Sequence, residues 1–256
     1  MSFTAADYEK FRALRVTHIA TRIADLIAEE ANDHLTVEQL FLAAVDEALD
    51  ARRANKIERL IRDARLAIPG ASIAEIDYRD GRGLHKARMT RYGQQDWRAD
   101  PRNVLITSPT GGGKTYLACA IAVAACQNEH TVTYARLDDL GRRLALARAD
   151  AIAHQSLLNH LANVDLLVID DFLTVAVDPE AGRDLFAILA DRDNRLPTMI
   201  ASQTGPTHWI NMLPDRVAAD SIMNRLANHS RKINLGDIDM RQLRNQHDRA
   251  TPDYWE

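Results

Sequence analysis

Apolar positions recur along this chain with two different periods, and the change of period falls near residue 100. In the first third, Phe11, Leu14, Ile19, Ile23, Leu26 and Ile27 return at helical spacing. Thr36 followed by Gln39 offers a capping box for a second helical run through Val37, Leu40, Phe41, Ala44, Val45 and Leu49. That run is expected to continue into "ARRANKIERLIRDARL", where Ile57, Leu60, Ile61 and Ala64 form an apolar face and Arg52, Lys56 and Arg59 a basic one. "IPGAS", Ile68 to Ser72, carries the Pro-Gly signal of a linker, which divides the chain into an N-terminal helical domain, 1–70, and a second domain, 71–256. From Asn103 onward, short apolar runs alternate with longer helical patterns. Strands are predicted at 103–107, 131–135, 165–169, 197–202 and 231–235, and the alternation predicts a three-layer α/β fold: a parallel sheet with helices on both faces.

The joint after the first strand carries the clearest chemistry. "NVLITSPTGGGKTYLACAIAVAA" runs from a strand through a glycine turn into a helix, with a lysine where the helix begins. Gly111, Gly112 and Gly113 can turn backbone N–H groups inward as an anion nest, because glycine reaches positive φ without a Cβ clash. The helix that follows points its positive dipole end at the same place. Lys114 would reach β- and γ-phosphates, and the Thr115 hydroxyl would fill one place in an octahedral Mg²⁺ shell. Ser108, Pro109, Thr110 and Tyr116 complete the stretch that would frame the nucleotide. The pattern is G-x-x-x-x-G-K-[ST] with one departure, Ser108 in place of the first glycine.

A second stretch, "VDLLVIDDF", is a continuous apolar run ending in two carboxylates. It reads as a fully buried parallel strand whose C-terminal end brings Asp170 and Asp171 to the ligand-binding edge of the sheet. Asp170 would hold Mg²⁺ directly or through water. Asp171 would orient or deprotonate the water that attacks the γ-phosphate. Ser202 and Gln203 end the fourth strand, where a polar side chain can hold that water or sense the phosphate.

Composition changes this picture little: 46% hydrophobic and 27% charged residues are ordinary for a soluble globular chain. The charge distribution adds more. Residues 1–50 hold 4 Lys/Arg against 10 Asp/Glu, a balance of −6, and residues 51–99 hold 12 against 6, a balance of +6. The basic face of Arg52, Lys56 and Arg59 is therefore a candidate row of phosphate contacts to duplex DNA. Cys119 and Cys126 sit seven apart on the helix after the glycine turn, as small core residues of a reducing compartment. No run is long enough to span a bilayer and the N-terminus has no apolar leader, so a cytoplasmic location without membrane partners is expected.

The last third separates an ATPase from a kinase. "ADSIMNRLANHSRKINLGDIDMRQLR" places Arg225 in a helix before the final strand and Arg241 just after it. Together with "SPTGGGKTYLACAIAVAAC", "LLVIDDF", "IASQTGPTHW", the leader "FRALRVTHIATRIADL" and "GRGL", this resembles the IstB-like transposition helpers. These are AAA+ ATPases of the initiator clade, similar also to DnaC and DnaA. The resemblance implies a P-loop AAA+ domain that binds ATP with Mg²⁺, binds duplex DNA, assembles into a homo-oligomer with composite ATP sites and delivers a transposase to its target. It implies Arg225 as an arginine finger acting in trans, with Arg231 as the fallback, and Arg241 as a sensor arginine in cis. The departures are Ser108, Asp171 as the second acid, and Asn224 before the finger.

Other readings fit the same residues. A DnaC-like loader would have a replicative helicase as partner, a nucleotide-gated scaffold would hydrolyse little, and a monomeric small-molecule kinase would need an arginine-rich lid, which the chain lacks.

Overall fold

The computed structural model describes residues 3–213, 216–228 and 230–243. It divides into two compact units, Met1–Arg59 and Leu60–Glu256.

In the first unit, α1 (Ala5–Ala13) and α2 (Thr17–Ala28) precede the long α3 (Val37–Ala64). The first apolar pattern, expected as one helix, is two, because the chain breaks at Arg15 with φ +57°. The break leaves Leu14 exposed, while Ile23 and Leu26 pack with Leu40 and Ala44 in a small core. The capping box forms as expected: the Thr36 N–H donates to Gln39 Oε1 at 2.8 Å and the Gln39 N–H to Thr36 Oγ1 at 3.3 Å. α3 runs unbroken through Arg52, Lys56 and Arg59. The units divide inside it, at Arg59, rather than at Ile68–Ser72. The physical reason is burial: Leu66, Ala71 and Ile76 are core residues of the second unit, with Leu60 and Ile61 packed against them.

The second unit continues with α4 (Lys86–Gly93), β1 (Asn103–Thr107), α5 (Lys114–Gln127), β2 (Val132–Arg136), α6 (Leu137–Ala147), α7 (Ala151–Asn163), β3 (Leu166–Asp170), α8 (Pro179–Arg192), β4 (Thr198–Ser202), the short α9 (Pro206–Trp209), α10 (Arg216–Asn228) and β5 (Ser230–Asn234). The five strands lie within a residue of their predicted positions. They form one parallel sheet in the order β2-β3-β4-β1-β5.

Side chains alternate across the sheet with period two. Val104, Ile106, Val168, Met199 and Ala201 face α5 and α4 with Trp97. Leu105, Leu167, Ile169 and Ile200 face α6, α7, α8 and α10. α5 is buried along its whole length from Leu117 to Cys126, which explains why its sequence is apolar all round rather than amphipathic. The order of strands sets β4 between the strand that feeds the glycine turn and the strand that ends in the two acids. All three C-terminal ends therefore open on the same edge.

Candidate functional site

The glycine turn adopts a phosphate-loop geometry. Gly111 and Gly113 are left-handed, with φ +84° and +89°, and Gly113 caps the N-terminus of α5. Ser108, standing where the motif has glycine, is not in the left-handed region and is buried. Its place is made by Gly112: a Cβ there would fall 1.7 Å from Ser108 Oγ. Lys114 arches over its own loop, donating to the Ser108 carbonyl at 2.8 Å and the Pro109 carbonyl at 2.9 Å. Burial pulls its pKa below the ordinary lysine value, partly offset by Asp170 and Asp171 and reinforced by Arg241. A bound polyphosphate would supply the negative charge that this buried ammonium needs.

Asp170, at the end of β3, is almost fully buried. Its Oδ2 accepts the Thr115 hydroxyl at 2.6 Å and the Tyr134 hydroxyl at 2.8 Å, and its Oδ1 accepts the Asp171 N–H at 2.8 Å. Asp171 itself is left-handed, φ +49°, as is Leu173 at +48°. Two such non-glycine residues so close together mark a strained turn, of a kind found where a side chain must be aimed. The turn brings the Asp171 carboxylate to the cleft and within 3.3 Å of the Arg136 guanidinium.

Gln203 follows β4 and meets the phosphate loop, where the Thr110 hydroxyl donates to its Oε1 at 3.0 Å. Ser202 below it is a buried hub: its hydroxyl donates to the Phe172 carbonyl at 2.7 Å and accepts the Trp209 indole N–H at 3.1 Å. Arg241 lines the same cleft from the segment after β5, and Asp239 accepts its backbone N–H at 2.9 Å. The Met240 N–H donates to the Gly111 carbonyl at 3.0 Å, which fastens this segment to the loop. The cleft so formed has a volume of about 850 Å³ and is lined also by Ile68, Glu75, Asp77 and Tyr116.

Lys114, Thr115, Asp171, Gln203 and Arg241 thus line one cleft, with Asp170 hydrogen-bonded beneath it. Arg225 does not line it; its guanidinium lies over the Phe186 ring at 5.1 Å and 3.5 Å from Asp193. Arg231 is committed elsewhere, to Gln95 at 3.0 Å, to Asp100 and to the face of Tyr92. Arg52, Lys56 and Arg59 are exposed along α3, and Arg52 reaches the Arg15 carbonyl at 3.4 Å. Among the described residues no cluster of three or more His, Cys, Asp or Glu forms a metal site, and no helix is long and apolar enough to cross a membrane.

Three side chains at the site escaped the sequence reading. Arg82, from "GRGL", is buried and donates to the Asp77 carbonyl at 2.8 Å and the Gly112 carbonyl at 3.2 Å. An arginine between two glycines was the available signal. Tyr134 and Arg136 on β2 offered none, because nothing local ties β2 to the acids of β3.

The chain also matches known proteins. A family profile for IstB-like ATP binding proteins covers residues 9–249. An insertion sequence ATP-binding protein of Sinorhizobium fredii is 31% identical over 237 residues, covering 91% of this chain and 95% of the relative. The IS21 ATP-binding protein of Pseudomonas aeruginosa is 24% identical over 222 residues, 87% of this chain and 83% of the relative. Among solved structures, AMPPCP-bound DnaA from Aquifex aeolicus superimposes with TM-score 0.58 at 17% identity, over 73% of this chain and 58% of that one. The DnaC helicase loader superimposes with TM-score 0.55 at 14% identity, over 64% of this chain and 96% of that one. These likenesses establish the fold. With the phosphate loop, the buried acid beneath it and the profile match over nearly the whole length, the chain belongs to the IstB-like ATP binding protein family, P-loop ATPases of the AAA+ fold.

Proposed function

We propose that this chain is the ATP-dependent helper of an insertion-sequence transposase: it assembles on duplex DNA in the cytoplasm, recruits or stimulates the transposase, and hydrolyses ATP at sites shared between subunits. The observation that carries the reading is the convergence of Lys114, Thr115, Asp171, Gln203 and Arg241 on one cleft with Asp170 beneath it, in a chain whose relatives are insertion sequence ATP-binding proteins.

Thr115 Oγ1 and Asp170 Oδ2, 2.6 Å apart, are hard oxygen donors at the phosphate end of the cleft, a donor set that suits Mg²⁺. When bound, the ion neutralises charge on the phosphates. Lys114 and the left-handed glycines bind the phosphate tail. Asp171 orients the attacking water and takes its proton, Gln203 holds the same water, and Arg241 balances charge from its own chain. A charge from outside the subunit completes the site: Arg225 on α10 exchanges its contacts with Asp193 and Phe186 for a neighbour's γ-phosphate.

Complementation tests the composite site. Arg225→Ala should bind ATP yet hydrolyse it about 10³-fold more slowly, and Lys114→Ala should fail to bind it. Arg225→Ala subunits keep an intact phosphate loop and Lys114→Ala subunits an intact finger, so a mixture should regain ATPase activity at shared interfaces. Co-sedimentation of the two variants without regained activity would remove Arg225 from the role.

A further inference from the structure

Tyr134 stands in the middle of β2, in register with Val168 of β3, and its ring is buried against the α5 side of the sheet. A phenylalanine would fill that space equally well. The hydroxyl adds something else: it donates 2.8 Å to Asp170 Oδ2, the oxygen that also accepts Thr115 Oγ1 at 2.6 Å. A carboxylate oxygen only accepts, so both hydroxyls donate to it. The terminal torsion of an aspartate is soft and broad. Three donors hold this one: Tyr134 and Thr115 on Oδ2 and the Asp171 N–H on Oδ1.

We propose that Tyr134 is a positioning residue for the divalent-cation site, acting through Asp170. It locks the rotation of the carboxylate, so that the Thr115 hydroxyl commits its proton to Oδ2 and keeps its lone pairs for a cation. The inference rests on the ATP and Mg²⁺ reading above and goes beyond it, because β2 supplies none of the residues of the phosphate loop or of the two acids. Groups of this kind, which orient a ligand without touching the ion, commonly change metal affinity by 10-fold to 100-fold when removed.

The test uses Tyr134→Phe, which removes the hydroxyl and keeps the ring. Binding of a fluorescent ATP analogue is measured in EDTA and across a Mg²⁺ titration, and the Mn²⁺–nucleotide complex is examined by electron paramagnetic resonance. The expected result is unchanged affinity in EDTA, a Mg²⁺ half-saturation raised about tenfold, and an altered Mn²⁺ spectrum. In an Asp170→Asn background the same change should add nothing, because the residue acts through that carboxylate. A Mg²⁺ titration identical to wild type, or an effect that adds fully to Asp170→Asn, reduces Tyr134 to strand packing and overturns the inference alone. Absence of nucleotide binding by the wild-type protein overturns the ATP reading, and this inference with it.

Discussion

Gly112 has no room for a side chain, and its neighbour is the reason. The Cβ of an alanine would stand 1.7 Å from Ser108 Oγ and 3.0 Å from Ser108 Cβ, but 3.4 Å from the nearest other atom, the Pro109 carbonyl. The serine at the first position of the motif and the glycine at the fifth are therefore a matched pair. Gly112→Ala should abolish nucleotide binding by displacing Ser108 and, with it, the carbonyl that holds Lys114. Adding Ser108→Gly should restore much of the affinity, because it deletes both clashing atoms. Titration with labelled ATP compares both variants with the wild type; a double variant as inactive as Gly112→Ala would show that Ser108 is not the obstacle. Gly111 is different in kind: it is left-handed and a Cβ would strike the Asp239 carboxylate at 2.3 Å, so no single partner change would rescue it.

Elements carry the next level of organisation, and two of them interlock. A Cβ at Gly83 would lie 2.3 Å from the Asn234 carbonyl and one at Gly236 2.1 Å from the Gly81 carbonyl. The segment before α4 therefore passes backbone against backbone with the end of β5 and the segment that follows it, and each side reaches the phosphate loop, one through Arg82 and the other through Met240. On α3 the corresponding question is the use of an exposed face. Arg52, Lys56 and Arg59 recur at helical spacing on it, and if they contact phosphates they carry no base information. Reversing all three to Glu should weaken duplex binding equally for unrelated sequences. Wild-type affinity should fall with salt at a log–log slope of roughly −0.9 per phosphate neutralised, and the variant's slope should be shallower. Fluorescence anisotropy at several salt concentrations reads both; unchanged binding by the triple variant would leave the stripe a solvated helix face.

At the scale of the whole ATPase unit, ion pairs tie the segment before β1 to the sheet. Arg98 holds Asp165 at 2.8 and 2.7 Å while Thr131 donates its N–H and hydroxyl to the same carboxylate. Burial disfavours that charge, yet Arg98 and Thr131 outweigh it and hold Asp165 below the ordinary carboxylate range. Asp100 is held down to about 2, first by Arg102 and further by Arg231. Both groups are held below the unfolded value of about 3.9, so their stabilisation is complete above that pH and is lost as pH falls below it, in the case of Asp100 toward about 2. The urea midpoint should therefore drop steeply between about pH 4 and pH 2. Asp165→Asn should lower the midpoint at neutral pH and flatten the acid limb; an unchanged acid limb would assign the loss to other carboxylates.

The local signals were strong wherever neighbours along the chain decide the structure. The strands, the capping box at Thr36 and Gln39, the phosphate loop with Lys114 and Thr115, and the approach of Asp170 to it were all legible, because periodicity, glycine and charge at fixed offsets dictate them. The break at Arg15 was not, since apolar spacing continues across it and only the packing of α2 on α3 leaves Leu14 outside. The division of the chain inside α3 also came from the fold: "IPGAS" has the composition of a linker, but Leu66 and Ala71 on either side of its start are buried in the second unit's core. Neither the service of Tyr134 to Asp170 nor the pairing of Arg136 with Asp171 could be read in advance, because strand order, not sequence distance, decides which side chains meet. Parallel β2 lies beside β3 in a register that sets Arg136 against Asp170, and that register is a property of the assembled sheet.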